Sequence, residues 1–231
     1  SIYSEHATSV WLCLFTDDGK ETHRIPLQDR AGGRWFTFVD GARPGQHYAY
    51  RVAGPNGNVH TPTFNPNKLL IDPYARKLTG TLHWHESLQA QQEFAELDSA
   101  DCVPKAVVDS DDFDWAEEQR PKISPIERII YEVHVKGFTK LHPQVPEQKR
   151  GKYLGLCEPV VLEYLKNLGI TTLQLMPCFS FTDEPRLGQL GLANYWGYNP
   201  INFFAPDWRY AIKDPVEEFK TMVKTLHAEG F

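Results

Sequence analysis

The sequence lacks the features of a membrane protein and of a nucleic-acid-binding protein. No apolar run in its 231 residues approaches the roughly 18 that a membrane-spanning helix needs. Acidic residues outnumber lysine and arginine by 30 to 24, which gives a formal net charge of −6. Nucleic acids and anionic membrane surfaces attract proteins with clustered positive charge. We therefore expect no membrane and no nucleic acid among the partners of this protein.

Cysteine is scarce, and the four cysteines lie far apart in the sequence. No two of them form a Cys-x-x-Cys pair, which excludes the metal and redox motifs of that type. A small secreted domain held together by disulfides would need a denser set. The spacing predicts isolated reduced thiols in a cytoplasmic protein, at Cys13, Cys102, Cys157 and Cys178.

Metal-binding side chains do not cluster in the sequence either. His83 and His85 could share one face of a strand and bind a metal ion, or they could be exposed loop histidines. A zinc site needs three or four ligands, and no third ligand is evident near this pair. We therefore predict no metal site and no cofactor.

Aromatic residues are abundant, at 13% of the chain with six tryptophans. Residues 194–200, Asn-Tyr-Trp-Gly-Tyr-Asn-Pro, carry three large rings within four positions and are called the aromatic loop below. Gly197 permits unusual backbone angles, and Pro200 pushes Asn199 out of helical geometry. The stretch predicts a rigid loop that presents aromatic faces, which suit sugar rings. The alternative is an aromatic cluster packed beneath a long loop.

Short segments rich in β-branched and aromatic residues, separated by turn signals, fill the first 80 residues. Asp17-Asp18-Gly19 is typical of a hairpin turn, and the chain begins within a predicted strand at Ile2 and Tyr3. Strands of this length and spacing indicate a small immunoglobulin-like β-sandwich, which we assign to residues 1–115. The four main strands are predicted at residues 10–15, 22–26, 35–39 and 46–52.

Three less regular segments follow these strands. Residues 64–75 contain two prolines and are predicted to form an extended connector. Residues 80–115 have weak periodicity and many acidic residues, which predicts an irregular surface crossing. Residues 116–128 are charged and contain two prolines, and we assign them to a linker between domains. The residues expected to hold the connector in place are Leu69, Leu70 and Ile71.

The pattern changes at residue 129. The apolar run at residues 129–135 is typical of a strand buried on both faces in a parallel sheet. A helix begins at Pro159 and ends at Gly169, a second strand covers residues 171–177, and a second helix begins at Pro215 and ends at Gly230. This order makes two β/α units. The residues expected to face the sheet are Val161, Leu162, Leu165 and Leu168 of the first helix and Val216, Phe219, Val223 and Leu226 of the second.

The aromatic loop lies in the long segment, residues 178–213, that follows the second predicted strand. In β/α units, ligand sites form from the loops at the carboxyl ends of the strands. This position favours a ligand surface over a packed cluster.

Longer motifs resemble a known family. Residues 131–139, Tyr-Glu-Val-His-Val-Lys-Gly-Phe-Thr, are similar to the first barrel strand of debranching enzymes in the α-amylase superfamily, glycoside hydrolase family 13. Residues 168–177 resemble the second strand of that superfamily. Residues 184–187, Glu-Pro-Arg-Leu, together with Gly191-Leu192 and the aromatic loop, resemble bacterial glycogen debranching enzymes and isoamylases in particular. The connector at 64–75 and the strands before it resemble carbohydrate-binding module family 48.

The resemblance covers essentially the whole chain and implies both a fold and an activity. The implied fold is a β-sandwich followed by the first two β/α units of a (β/α)8 TIM barrel, with the barrel part at residues 129–231. The implied parent enzyme cleaves α-1,6-glucosidic branch linkages in glycogen or limit dextrins by a retaining mechanism. Its partners would be glycogen or branched α-glucan oligosaccharides. The match to the loop motif implies that Tyr198 stacks under the sugar at the cleavage point, that Trp196 lines the same pocket and that Asn199 orients it.

The chain departs from the family pattern at the catalytic residues. The nucleophile, the acid/base and the third carboxylate of the family belong to later strands, and no Asp-x-x-x-Asn-His motif precedes the last residue, Phe231. We therefore expect a fragment truncated at both ends, with no catalytic residue in this segment and no activity of its own. His134 is predicted to be a hydrogen-bonded packing residue near the site rather than a proton shuttle. Structural or surface roles are predicted for Glu132, Asp183, Glu184 and Asp207.

Two alternatives remain open from the sequence. Within the superfamily, the chain could come from a starch isoamylase, a branching enzyme or a trehalose-releasing hydrolase. Outside it, the chain could be a complete, non-catalytic glycan-binding protein with a platform of Trp35, Tyr48 and Tyr50. Alternating aromatic residues of this kind are equally typical of a packed core.

Overall fold

A computed structural model describes residues 1–55, 63–89 and 92–231. The chain divides into two compact units, Ser1–Asp109 and Ser110–Phe231. Among the helices of the described ranges, none combines the length and the apolar character that crossing a bilayer requires.

The first unit consists of antiparallel strands in two sheets. The larger sheet has the strand order β3-β2-β6-β7 and the smaller one the order β1-β5-β4. The predicted β-sandwich is therefore confirmed at the level of its two antiparallel sheets. The strands are β1 (Ile2–Tyr3), β2 (Ser9–Phe15), β3 (Glu21–Pro26), β4 (Asp29–Ala31), β5 (Arg34–Phe36), β6 (His47–Ala53) and β7 (Ala106–Val107).

Local turn chemistry sets the first hairpin. The amide of Thr16 donates to the carbonyl of Lys20 at 3.0 Å, and Gly19 has φ +87°, a left-handed backbone that favours glycine. The predicted hairpin is confirmed, and β2 pairs with β3 on one side and with β6 on the other. The third predicted strand, residues 35–39, is too long. Its partners β1 and β4 have only two and three residues, so no strand within the described ranges pairs with residues 37–39.

The connector at residues 64–75 forms no regular helix or strand, as predicted, but one of its three expected anchors is wrong. Leu69 is buried, whereas Leu70 is 43% exposed. Leu70 and Tyr50 exchange two backbone hydrogen bonds, of 2.9 and 2.8 Å. In such an extended pairing, successive side chains point to opposite faces, so the Leu70 side chain is turned away from the core.

The predicted irregular crossing at 80–115 contains short 3-10 turns and the two-residue strand β7; its residues 90 and 91 lie outside the described ranges. Residues 116–128, predicted as a linker, fall within the second unit. There the Glu118 carboxylate contacts Nδ1 of His227.

Arg51, on β6, is the most completely enclosed charge among the described residues of the first unit, at 1% exposure. Its Nε and one terminal nitrogen donate to Oε2 of Glu21 at 3.0 and 2.9 Å, and the same terminal nitrogen lies 2.9 and 2.8 Å from the two carboxylate oxygens of Asp98. The other terminal nitrogen donates to the carbonyl of Pro66 at 2.8 Å. A buried charge persists only when it is paired and hydrogen-bonded in this way. Arg51 thus joins a strand of the larger sheet to the connector and to the segment around Asp98.

The second unit is built on two parallel strands with four helices around them. Ile130 of β8 pairs with Thr172 of β9, and the register continues to Val133 and Leu175. Pro159 occupies the first turn of α2, and Gly169, with φ +75°, follows its end, both as predicted. The elements are β8 (Ile130–Val133), α1 (Val135–Thr139), α2 (Pro159–Asn167), β9 (Thr172–Leu175), α3 (Pro185–Gln189) and α4 (Pro215–Ala228).

Three details of the second unit differ from the prediction. Ile130 is 57% exposed, so β8 is not buried on both faces. The described sheet has two strands, and helices pack against only part of it, which leaves alternate side chains uncovered. Val135 begins helix α1 instead of ending the strand, and Leu168 lies at the end of α2 with its side chain exposed.

The core of this unit lies between the helices and β9. Asp214 caps α4 by accepting the amides of Val216 and Glu217 at 3.0 and 3.2 Å, as its position before a proline predicts. Met222 is the most deeply buried side chain of α4, although the predicted stripe omits it. The main cluster comprises Val135, Tyr153, Leu156, Leu162, Cys178, Phe181, Tyr210, Ala211, Met222 and Leu226.

Replacing Arg51 with leucine should lower the free energy of unfolding by about 3 kcal/mol. This is the low end of the range for a buried ion pair that loses one partner, because Asp98 is half exposed and can be hydrated again. The matched control is Arg24→Leu, which removes an exposed arginine from the same Glu21 carboxylate and should cost less than about 1 kcal/mol. Urea unfolding followed by circular dichroism measures both, and equal losses would contradict the role given to Arg51.

The stabilisation by the Arg51 ion pairs depends on pH through Glu21. Burial would raise the pKa of Glu21, but the hydrogen bonds from Arg24 and Arg51 outweigh burial and hold the pKa below its ordinary value. A lowered carboxyl pKa stabilises the fold above the unfolded-state value of about 4.3 and ceases to do so as the pH falls through the folded-state value. The melting temperature should therefore fall as the pH is lowered below about 4.3. It should fall less steeply with pH in Arg51→Leu.

Candidate active-site surface

The aromatic loop lies where the two parallel strands end. Tyr195, Trp196 and Tyr198 are 41%, 56% and 67% exposed, whereas Gly197 between them is buried. Asn199 is half-buried, and its carbonyl accepts the amide of Thr182 at 3.0 Å. The loop thus holds its backbone inward and its rings outward. This arrangement favours a ligand surface over a cluster packed beneath the loop.

Gly197 fixes the centre of the loop. Its φ is +79°, and its amide donates to Oδ1 of Asn194 at 2.9 Å. A Cβ at this position would lie 3.0 Å from the carbonyl oxygen of Pro177 and 3.4 Å from the Phe181 ring. Glycine is required here both for the backbone conformation and for the close approach to the end of β9.

Acidic side chains hold the beginning of the loop. Oδ1 of Asp183 accepts the Asn194 amide at 2.6 Å, and Oε1 of Glu184 accepts Nδ2 of Asn194 at 3.2 Å. Oε2 of Glu184 is buried and has no hydrogen-bond partner among the described residues. Asp183 and Glu184 therefore act on the conformation of Asn194, which agrees with the structural roles predicted for them.

Asp207 holds the far end of the same segment. It is 1% exposed, and its carboxylate accepts the Arg209 amide at 2.8 Å, the Arg209 side chain at 2.9 Å and the Phe181 amide at 3.3 Å. The guanidinium of Arg209 lies 3.5 Å from the Phe181 ring centroid. The hydroxyl of Tyr153 donates to the carbonyls of Cys178 and Asp207 at 2.7 and 3.2 Å. These contacts close the long segment after β9 at its base, and Asp207 has the structural role predicted for it.

His134 links the aromatic loop to the first strand of the unit. It lies between β8 and α1, and its ring stacks on that of Tyr195 with centroids 4.2 Å apart and planes at 8°. Its Nε2 lies 2.6 Å from the Tyr195 carbonyl oxygen. The predicted hydrogen-bonded packing role is thus confirmed, but no sequence pattern indicated that the partner is Tyr195.

Two concave surfaces meet at Tyr198. The first is a cavity of about 400 Å³ between the strand ends and the loop, and the second is a groove of about 490 Å³ between the loop and α3. Each lies within the size range of small-ligand sites. The described lining of the cavity consists of Glu132, Gln174, Leu175, Met176, Pro177, Phe179, Gly197, Tyr198, Pro200 and Phe203.

The chemistry of the cavity suits binding better than bond cleavage. Glu132 is the only carboxylate in its described lining, and glycosidic hydrolysis needs two. Burial raises the pKa of the Cys178 thiol to about 12, so Cys178 is no nucleophile at neutral pH. The four cysteines are unpaired, which confirms the prediction of isolated thiols.

Other sequence candidates do not form sites in the structure. His85 accepts the Ser87 amide through Nδ1, and within the described ranges no three metal-binding side chains converge. Trp35 and Tyr50 are buried in the core of the first unit. The half-buried Tyr48 packs against the same core. The platform of Trp35, Tyr48 and Tyr50 considered from the sequence is therefore wrong, and core packing explains the alternation of these aromatics.

Comparisons with known proteins support the resemblance read from the sequence. Residues 1–75 match the family described as carbohydrate-binding module 48 (isoamylase N-terminal domain). The whole chain is 46% identical, over 232 residues, to a protein named glycogen debranching enzyme from Erwinia tasmaniensis. It is 45% identical to proteins of the same name from Salmonella gallinarum and Yersinia enterocolitica. The similarity to debranching enzymes is thereby confirmed. The chain spans 35% of the length of each of these relatives.

The fold of this chain is similar to parts of solved pullulanase structures. A pullulanase from Paenibacillus barengoltzii, in complex with maltohexaose and α-cyclodextrin, superposes with a TM-score of 0.71 at 24% identity over all of this chain and 36% of its own. The pullulanase from Bacillus acidopullulyticus gives a TM-score of 0.69 at 26% identity, over all of this chain and 27% of its own. The arrangement of strands and helices in this chain therefore occurs within larger pullulanases.

Replacing Gly197 with alanine should destabilise the loop more than the same change at Gly191. Both glycines have positive φ, +79° and +66°, and an alanine in this region costs about 1–2 kcal/mol. A Cβ at Gly191 meets open space, whereas one at Gly197 presses on Pro177. The difference between the two melting temperatures isolates that contact, and equal melting temperatures would show that the contact with Pro177 is unimportant.

Proposed function

We propose that this chain is part of a glycogen debranching glycoside hydrolase, which cleaves α-1,6-glucosidic branch linkages in glycogen or limit dextrins. The observation that carries the proposal is the aromatic loop, which holds exposed rings at the ends of two parallel strands in a chain similar along its length to glycogen debranching enzymes. The segment supplies an accessory module and part of a substrate pocket. The catalytic carboxylates would come from other parts of the enzyme.

The domain organisation we propose has a glycogen-binding-type sandwich at residues 1–115, a linker at 116–128 and the first two β/α units of a (β/α)8 barrel at 129–231. Support for the barrel comes from the parallel pairing of β8 and β9 and from the likeness to pullulanases. A parallel pair needs a crossover connection between its strands, and α2 lies in that connection. In a barrel, the strand ends that carry the aromatic loop form the substrate face.

We assign the substrate contacts to Tyr198, Trp196 and Asn199. Tyr198 is the most exposed of the three rings and lines both concave surfaces, so a sugar can stack on it from either side. Trp196 lines the groove, and we assign the half-buried Asn199 to orienting the same pocket. Sugar rings stack their C–H groups on such faces while their hydroxyls stay hydrogen-bonded.

The expected substrate is glycogen or a branched α-glucan oligosaccharide. Among superfamily members, the names of the relatives at 44–46% identity favour a glycogen debranching enzyme over a branching enzyme or a trehalose-releasing hydrolase. The four unpaired thiols support a reducing compartment, which we take to be the cytoplasm.

Tyr198→Ala in the full-length enzyme should lower kcat/KM for a branched dextrin without unfolding the protein. A lost stacking contact is worth about 0.5–1.5 kcal/mol, which corresponds to roughly two- to tenfold, and misplacement of the substrate could raise the loss to on the order of a hundredfold. Tyr198→Phe keeps the ring face and should be much milder. If well-folded Tyr198→Ala retains its full kcat/KM, the proposed substrate contact is wrong.

The 231-residue chain expressed alone should release no reducing sugar from glycogen or α-limit dextrin. The reason is that its cavity offers Glu132 but no second carboxylate in the described lining, and cleavage requires a pair. Reducing-end assays on protein purified away from host hydrolases, beside a buffer control, provide the measurement. Release above that control would place catalytic groups within this segment.

A further inference from the structure

We propose that His134 is a positioning residue that fixes the aromatic loop through Tyr195, and that Gly137 must be glycine so that the Tyr195 ring can lie against it. The inference rests on the proposed function for its kinetic test only. The anchoring itself has a second readout that does not depend on activity.

The hydrogen bonds of His134 define which ring nitrogen carries the proton. Nδ1 lies 3.1 Å from the amide nitrogen of Lys136 and 3.0 Å from that of Gly137, and so accepts from both. A ring nitrogen that accepts hydrogen bonds carries no proton, which places the proton of the neutral imidazole on Nε2. Nε2 then donates to the Tyr195 carbonyl oxygen at 2.6 Å. One side chain therefore caps α1 and holds the aromatic loop at the same time.

Ring contacts hold the imidazole in this orientation. The Tyr195 ring covers one of its faces at 4.2 Å. Trp196 and the buried Tyr210 meet it edge-on, with centroids 6.2 and 5.9 Å away. Since Tyr195 and Trp196 also contact each other edge-on at 5.1 Å, His134 orients two of the three loop rings. Tyr198 follows immediately after Trp196 and the buried Gly197.

The Tyr195 hydroxyl occupies the space that a side chain at position 137 would fill. A Cβ on Gly137 would overlap the hydroxyl oxygen of Tyr195, whereas the next atoms, Cζ of Tyr195 and Cβ of His134, would be 3.5 and 3.6 Å away at ordinary contact distance. Gly137 lies inside α1 and has no positive φ. Helix propensity alone therefore favours alanine here. The close approach of the Tyr195 hydroxyl is the feature that requires glycine.

A double-mutant cycle between Gly137 and Tyr195 tests this directly. In the full-length enzyme, Gly137→Ala should displace the Tyr195 ring and lower kcat/KM for a branched dextrin by about ten- to a hundredfold, while helix propensity predicts no loss of stability. In the Tyr195→Phe background the overlapping oxygen is gone, so adding Gly137→Ala should change kcat/KM by less than about twofold. An equal loss in both backgrounds would overturn the proposal.

His134→Asn provides a second variant if Gly137→Ala fails to fold. Asparagine is a good helix cap and can still accept the amides of α1, but it is too short to reach the Tyr195 carbonyl or to stack on its ring. Loss of this hydrogen bond predicts a roughly two- to tenfold lower kcat/KM at an almost unchanged melting temperature. The matched control is His142→Asn. His142 accepts the Gln144 amide in a turn of its own, and among the described residues none of its hydrogen bonds reaches the aromatic loop.

Hydrogen exchange over residues 194–200, compared with α4 as an internal reference, tests the loop anchoring separately from the substrate contact proposed for Tyr198. Faster exchange confined to the loop in His134→Asn and Gly137→Ala, together with lower kcat/KM, supports the anchoring. Unchanged exchange in both variants overturns it, whatever the activity. If Tyr198→Ala has full activity while the anchor variants loosen the loop, the proposed substrate contact fails and the anchoring stands. If Tyr198→Ala loses activity while loop exchange is unchanged in both anchor variants, the proposed substrate contact stands and the anchoring fails.

Discussion

The conformation of the segment between β9 and α4 depends on the buried carboxylate of Asp207. This group satisfies the amide of Phe181 near the start of the segment and the side chain of Arg209 near its end. A carboxylate at 1% exposure is stable only with such partners. Because the hydroxyl of Tyr153 also joins the carbonyls of Cys178 and Asp207, the two ends of the segment are closed at its base. With the ends of the segment held together, local hydrogen bonds are enough to fix the shape of the aromatic loop between them.

Features that depend on local chemistry could be predicted from the sequence. Gly19 signals the first hairpin because only glycine enters its left-handed position readily. Pro159 and Pro215 mark helix starts, since a missing amide is harmless in the first turn. The same reasoning predicted that the aromatic loop would be irregular, from Gly197 and Pro200. In each case the cause lies within a few residues of the effect.

Features that depend on distant partners could not be predicted in this way. Periodicity predicted that Ile130 and Leu168 are buried, but burial depends on what covers a face, and the described residues leave about half of each side chain exposed. The platform considered at Trp35 failed for the same reason, because an alternating pattern does not say which face of a sheet is packed. His134 is 61 positions from Tyr195 in the sequence. A partner so far along the chain leaves no local pattern around His134 from which the contact could be predicted.

The exposed rings and the pinned backbone of the aromatic loop belong to one physical explanation. Exposed aromatic surface forgoes the stabilisation that burial would give, so a loop selected only for packing would turn Trp196 and Tyr198 inward. Instead, hydrogen bonds to Asn194, the fit of Gly197 against Pro177 and the stack on His134 keep the backbone fixed while the rings face outward. A surface ordered before the ligand arrives loses less conformational entropy on binding. The contacts that hold the loop are therefore part of its binding chemistry, even though they touch no sugar.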